Sequence, residues 1–152
     1  MPRSKVTVVG AQELDREFTR QLKKCEGVKR VINEMALAIQ TQAKDNVRAL
    51  GAIDNGQLRQ SITIDTVARG FGAEVGPEEP YGLYIELGTR KHFPPVQPLE
   101  EWAHRHGMEK GAGYAIARKI SKEGSQARPF LLPAFFSHEG EIEKRLAEEL
   151  RK

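Results

Sequence analysis

Cysteine is almost missing from this 152-residue chain: Cys25 stands alone. One thiol excludes an internal disulfide and any zinc site built from several cysteines. A reducing cytoplasm is the simplest setting for it. Long apolar runs are also missing. No stretch approaches the roughly 20 residues that a membrane span needs. The opening residues, Met1-Pro2-Arg3-Ser4-Lys5-Val6, contain no apolar core of signal-peptide length. A soluble, cytoplasmic product is therefore expected. A strong charge of one sign is lacking as well. The net charge is only +3, whereas dedicated nucleic-acid binders usually concentrate far more on one face.

Catalytic signatures are missing too. Gly111-Ala112-Gly113 precedes a helical segment but lacks the Lys-Ser/Thr pair of a P-loop and the third glycine of a dinucleotide fingerprint. No serine or cysteine sits in a nucleophile-elbow context. The four histidines are His92, His104, His106 and His138. His104 and His106 are two apart and fall on different faces of a helix, whereas a helical zinc pair wants a spacing of four with a nearby carboxylate. No metal site, cofactor or catalytic residue is expected.

What is present is helical periodicity. The hydrophobic fraction is 39 % and the charged fraction 30 %, which suits one α+β domain with exposed helices or a subunit that buries part of its surface on neighbours. Val6-Thr7-Val8-Val9 reads as a short strand. Residues 11–22 form a possible short helix with Leu14, Phe18 and Leu22 four apart, and Gly27 interrupts it. A long helix then runs from Val28 to about Leu50. Val28, Val31, Ile32, Met35, Ile39, Ala43, Val47 and Leu50 make its apolar stripe, and Gly51 suits its C-terminal cap.

Asp54-Asn55-Gly56 is a turn sequence. Alternation over Ser61–Val67, a turn at Arg69-Gly70-Phe71-Gly72 and a return over Ala73–Gly76 predict a β-hairpin. Tyr81–Leu87 reads as a short helical turn. Leu99–His106 and Tyr114–Lys122 are short helices. Phe130 and Leu131 lie between prolines, where a short strand is possible. A terminal helix is predicted from Pro133 to about Leu150, with Phe135, Ile142, Leu146 and Leu150 on its apolar side. Residues 91–98 and 108–113 are rich in Gly, Pro and charge, and the region from about 91 to 113 is expected to be flexible.

Two segments carry the most information. One is Tyr81-Gly82-Leu83-Tyr84-Ile85-Glu86-Leu87-Gly88-Thr89; the other is Ala127-Arg128-Pro129-Phe130-Leu131-Leu132-Pro133-Ala134. Glu86 lies between apolar neighbours, and a partly buried carboxylate wants a cationic partner. Arg59, Arg90 and Arg128 are the candidates, within one subunit or across a boundary. Phe130 reads as a core anchor held between prolines. A polyproline-ligand reading would leave Phe and Leu in water. Met35, Ile39, Tyr84, Trp102 and Phe130 are the expected structural core.

Arg118, Lys119 and Lys122 form a basic helix, followed by Arg128 and preceded by Arg90 and Lys91. Such a face binds phosphate, meets an acidic protein surface, or is simply solvated. The residues expected at a partner interface are Glu86, Arg90, Lys91, His92, Arg118, Lys119, Lys122 and Arg128.

Taken in order, these features are a long helix, Asn55-Gly56-Gln57-Leu58-Arg59-Gln60-Ser61-Ile62, a hairpin and the Tyr81–Thr89 motif. The Trp102 helix, Ile116-Ala117-Arg118-Lys119-Ile120 and the Arg128–Ala134 motif follow. The order resembles the minor tail component family of long-tailed bacteriophages and prophages, also called head–tail joining or tail-completion proteins. The resemblance implies a single domain over residues 1–152, with a small antiparallel sheet or sandwich packed on a long N-terminal helix, shorter helices and a C-terminal helix. It implies a structural, non-enzymatic part of the neck or tail-end ring that joins tail to capsid. The implied partners are other copies in the ring and the neighbouring neck and tail-tube proteins. Its place would be the host cytoplasm before assembly and the virion afterwards. The alternative is a nucleic-acid-binding protein using the basic helix over residues 114–122. A small hydrolase built on Glu86 and a histidine is the third reading.

Overall fold

The computed structural model describes residues 11–51 and 56–152. The expected strand at Val6–Val9 and the Asp54-Asn55 part of the expected turn lie outside them. Helix α1 spans Ala11–Ala49 without a break. The short helix α2 (Gln57–Gln60) leads into β1 (Ile62–Val67), which pairs antiparallel with β2 (Gly72–Pro77). Helices α3 (Gly82–Leu87), α4 (Val96–Arg105), α5 (Ala112–Glu123) and α6 (Leu131–Arg151) follow. The class is α+β. The sheet is one hairpin, and no second sheet faces it among the described residues.

The buried side of α1 follows from its spacing. Val31, Met35, Ala36, Ile39, Ala43 and Val47 recur at three and four residues and are buried. The hairpin lies against this face. Its register pairs Ile62 with Pro77, Ile64 with Val75 and Thr66 with Ala73, which puts Ile62, Ile64, Val75 and Pro77 on one side of the ribbon. Ile62 is fully buried, with Leu58 of α2 beside it in the same core. Helix α6 closes that core with Phe130, just before its first turn, and Ala134, both at 0 % exposure. Two side chains of α1 hold the arriving backbone. Gln40 Nε2 donates to the Ile62 carbonyl at 2.8 Å, and Asn46 Nδ2 donates to the Phe130 carbonyl at 2.8 Å.

Gly27 does not end the first helix, contrary to the expected interruption. It is buried within α1. A Cβ there would run into the carboxylate of Glu149 on α6. Its role is close approach, not a turn, and the cost of a mid-helix glycine is met by packing. Glu149 is itself buried and accepts from Arg30 Nη2 at 3.1 Å and from Lys152 Nζ at 2.6 Å. Arg145 bridges the same two helices by pairing with Glu34.

The hydrogen bond from Lys152, aided by its charge and that of Arg30, holds the Glu149 carboxyl below the usual glutamate range, although burial opposes this. A depressed pKa contributes stability that is complete above the unfolded value and lost as pH falls through the folded one. Thermal stability should therefore drop on acidification below the ordinary glutamate range near 4.5, and Glu149→Gln should flatten that part of the melting-temperature profile. Lys152 and Arg30 are exposed, so the effect should be small and weaken with salt. An identical acid limb in the variant would remove Glu149 from the account.

Three further expectations are corrected. Phe130 and Leu131 are not a strand: Leu131 opens α6, two residues before the predicted start. The buried side of α6 is not the line from Phe135 to Leu150. Those two are 41 % and 61 % exposed, while Ala134 and Glu149 are buried and Ile142 and Leu146 half-buried. Tyr84, expected in the core, is 59 % exposed. In α3 the buried positions are Gly82 and Glu86, one turn apart, and Tyr84 points off the opposite side. Trp102 is half-buried and stacks on His106 with ring centroids 4.2 Å apart.

Candidate assembly surfaces

Glu86 was expected at a partner surface or beside an arginine. The structure buries it at 7 % exposure and gives it a different job. Its carboxylate accepts three backbone N–H groups at the start of α6: Phe130 at 2.7 Å, Leu131 at 2.9 Å and Leu132 at 2.9 Å. A helix leaves its first N–H groups without intrahelical partners. The next residue, Pro133, has no N–H to satisfy. One side chain from α3 thus caps the whole N-terminus of α6, where a negative charge also suits the helix dipole. Its burial takes Glu86 away from the exposed residues expected to face a partner.

Beyond α3 the chain makes an excursion and returns to its point of departure. Thr89 and Ser125 exchange both backbone hydrogen bonds at 3.1 Å, and their hydroxyls meet at 2.9 Å. Gly88 and Gly124 flank this bridge with φ of 68° and 78°. A Cβ on either would strike the backbone of the opposite strand, so no other residue fits there without displacement. Between the two lies a helical hairpin in which α4 packs on α5. The region expected to be flexible therefore contains the helix Val96–Arg105. At the tip, the Glu100 carboxylate accepts the Gly111 N–H at 2.6 Å and the Gly113 N–H at 2.7 Å. Sequence reasoning missed this clamp; an acidic residue in α4 opposite a Gly-x-Gly turn is its only signal.

The arm carries the charge. Residues 90–124 hold seven Lys/Arg and four Asp/Glu, which is the whole net +3; the other 17 cations and 17 carboxylates cancel. On α5, Gly113 and Ala117 are buried, while Arg118, Lys119 and Lys122 share the opposite, exposed side. Arg90, Lys91 and His92 are exposed where the arm departs, and Arg128 is exposed after it returns. The structure thus brings Arg118, Lys119 and Lys122 together and leaves the other predicted contacts at the arm's base.

The hairpin presents the opposite sign. Its outward side carries Thr63, Asp65, Val67, Gly72, Glu74 and Gly76, and Asp65 lies directly across from Glu74. Both are exposed and neither enters an ion pair among the described residues. Like charges directly opposite on paired strands are destabilising. Glu74→Lys should therefore raise the stability of the isolated protein by about 0.2–1 kcal/mol. A loss of stability on urea denaturation would show that the two carboxylates do not feel each other.

A third surface is the start of α1. Lys24 Nζ donates to the Leu150 carbonyl at 3.2 Å, near the end of α6. Residues 11–23 lie beyond that contact, roughly 20 Å of helix at 1.5 Å per residue. Every side chain from Glu13 to Lys23 is exposed there, including Leu14 at 69 %, Phe18 at 66 % and Leu22 at 57 %. Among the described residues no group of three or more His, Cys, Asp or Glu is placed to hold a metal. No helix among them is long and apolar enough to cross a membrane.

The family model described as "Bacteriophage HK97-gp10, putative tail-component" matches residues 12–88. The chain belongs to this family. The match takes in α1, α2, the hairpin and α3 and stops at Gly88, where the arm begins. The Ala127–Ala134 motif lies outside the matched span of this tail component. No curated protein and no solved structure matches the chain.

Proposed function

We infer that this phage tail component is a ring subunit at the neck or tail end, where it joins tail to capsid. The observation that carries this reading is the overhanging start of α1. Leu14, Phe18 and Leu22 form an exposed apolar stripe with nothing packed on it among the described residues. An exposed apolar patch of this kind marks a contact surface. A ring requires two different patches on each subunit that meet head to tail, and this chain offers separate apolar, basic and acidic ones. The partners would be further copies and the adjoining neck and tail-tube proteins. The protein would wait in the host cytoplasm and end in the virion. No catalytic role is proposed, since Glu86, the one buried carboxylate weighed for chemistry, is spent on capping α6.

Particles assembled without the protein should accumulate as separate, complete capsids and tails under the electron microscope. Joined particles at normal yield would remove the neck role. Reversing charge at Arg118, Lys119 and Lys122 should leave the fold intact, because exposed substitutions usually cost little, and should reduce joining strongly.

The exposed basic side of α5 favours one other reading, phosphate binding by the helix over residues 114–122. It predicts that the purified protein binds duplex DNA in a salt-sensitive way and that the triple variant loses this binding. Absence of DNA binding at low salt would dismiss it.

A further inference from the structure

Resting on the ring reading, we propose that the basic side of α5 on one copy docks on the acidic outer side of the hairpin on the next copy. The occupant of the hairpin surface is therefore a second copy of this chain. Three observations point there. Arg118, Lys119 and Lys122 stand on one exposed side of α5 and form no ion pair among the described residues. Asp65 and Glu74 face each other across the two strands, also without a cation paired to them among the described residues. The strand pair alone gains nothing from that opposition, whereas a cation laid between the two carboxylates converts it into attraction. Finally, the charge is segregated along the chain. The arm holds all the net positive charge, and the body that carries the hairpin is balanced.

Within one chain no ion pair joins the two surfaces among the described residues. Helix α5 packs on α4, and the hairpin packs on α1. The Thr89–Ser125 bridge and the two flanking glycines fix where the arm leaves the body. A contact between different patches of identical subunits is head-to-tail, the kind that closes into a ring when its rotation permits. The hairpin side is also shaped for it. Gly76 leaves the ribbon open beside Glu74, with nothing within 4 Å of where a Cβ would stand, whereas the Val67 side chain covers Gly72 on the other flank, so long lysine and arginine side chains reach the carboxylates from the Gly76 side. Glu78, exposed just after β2 where its N–H still bonds the Ser61 carbonyl, adds a further carboxylate beside this surface.

Charge exchange tests this with the purified full-length protein. One variant carries Arg118→Glu, Lys119→Glu and Lys122→Glu; a second carries Asp65→Lys and Glu74→Lys. Sedimentation velocity at low salt is expected to show concentration-dependent self-association of the wild type, weakened by added salt. Each variant alone should associate about tenfold or more weakly, because like charges then face each other. Mixing the two should restore association, since each supplies the complement of the other. Circular dichroism confirms that both variants fold.

A mixture no tighter than its components overturns the proposal. So does a wild type that stays monomeric at low salt over the whole accessible concentration range. If the first variant loses duplex DNA binding while self-association is unchanged, phosphate is the occupant of α5 and the proposal also falls. Failure of the ring reading is seen separately: particles lacking the protein would still be joined, whatever the charge exchange shows.

Discussion

Phe130→Ala should cost about 3–5 kcal/mol of folding stability. The ring is fully buried, in a cluster with Ile39, Ala43 and Val47 of α1, Leu58 and Ile62. It is the point where α6 meets both the long helix and the hairpin. The substitution leaves the local backbone bonds in place, because Asn46 holds the carbonyl of residue 130 and Glu86 its amide. What is lost is apolar burial, together with the contacts of the neighbours around the new cavity. Those neighbours sit on three separate elements already pinned by hydrogen bonds, so the site has little freedom to collapse. That places the cost at the upper end of the range for aromatic truncations. A shift of the urea midpoint equivalent to less than about 1 kcal/mol would show that the ring is not the anchor.

Glu86→Ala should come next, at about 2–4 kcal/mol. It leaves three N–H groups without their acceptor. The Phe130 amide is the most deeply placed and cannot turn to water, whereas those of Leu131 and Leu132 are only partly buried. Glu86→Gln should lose less than Ala, since its amide oxygen still accepts from Phe130 and Leu131, but its NH2 then faces the Leu132 N–H and the charge is gone. Hydrogen exchange at residues 130–132 should accelerate in both variants ahead of the rest of α6. Equal stability of wild type, Gln and Ala variants would mean that α6 starts without this cap.

Much of this arrangement was legible in the residues, and the parts that were not share a cause. The α1 stripe from Val31 to Val47, the alternation from Ile62 to Thr66 and the Gly113–Ala117 side of α5 are local patterns. Each follows from the repeat of a helix or strand. The capping of α6 is not local: its acceptor lies 44 residues before the amide of Phe130. With Pro129 and Pro133 as the only visible punctuation, an extended segment was the natural reading of Phe130-Leu131.

Gly27 misled for the same reason, because the side chain packed over it, Glu149, arrives from the far end of the chain. Tyr84 was expected inside because aromatic residues usually are. The interior position in that turn had already gone to a carboxylate. That Arg118, Lys119 and Lys122 share one exposed side of α5 follows from their spacing alone. The opposition of Asp65 and Glu74 depends on register and appears only once the strands are paired.

The bridge between Thr89 and Ser125 also bears on how chain length can change. Departure and return are tied together by reciprocal hydrogen bonds at 3.1 Å, so the entropic cost of closing the excursion grows only slowly with what lies between. Changes in length within residues 90–124 should therefore disturb the places of α1, the hairpin and α6 less than equal changes elsewhere, apart from the face where Trp102 and Leu99 look onto Leu58 and Tyr84. The body is a socket and the helical arm a replaceable fitting, whose electrical character can be rewritten without touching the core that holds it.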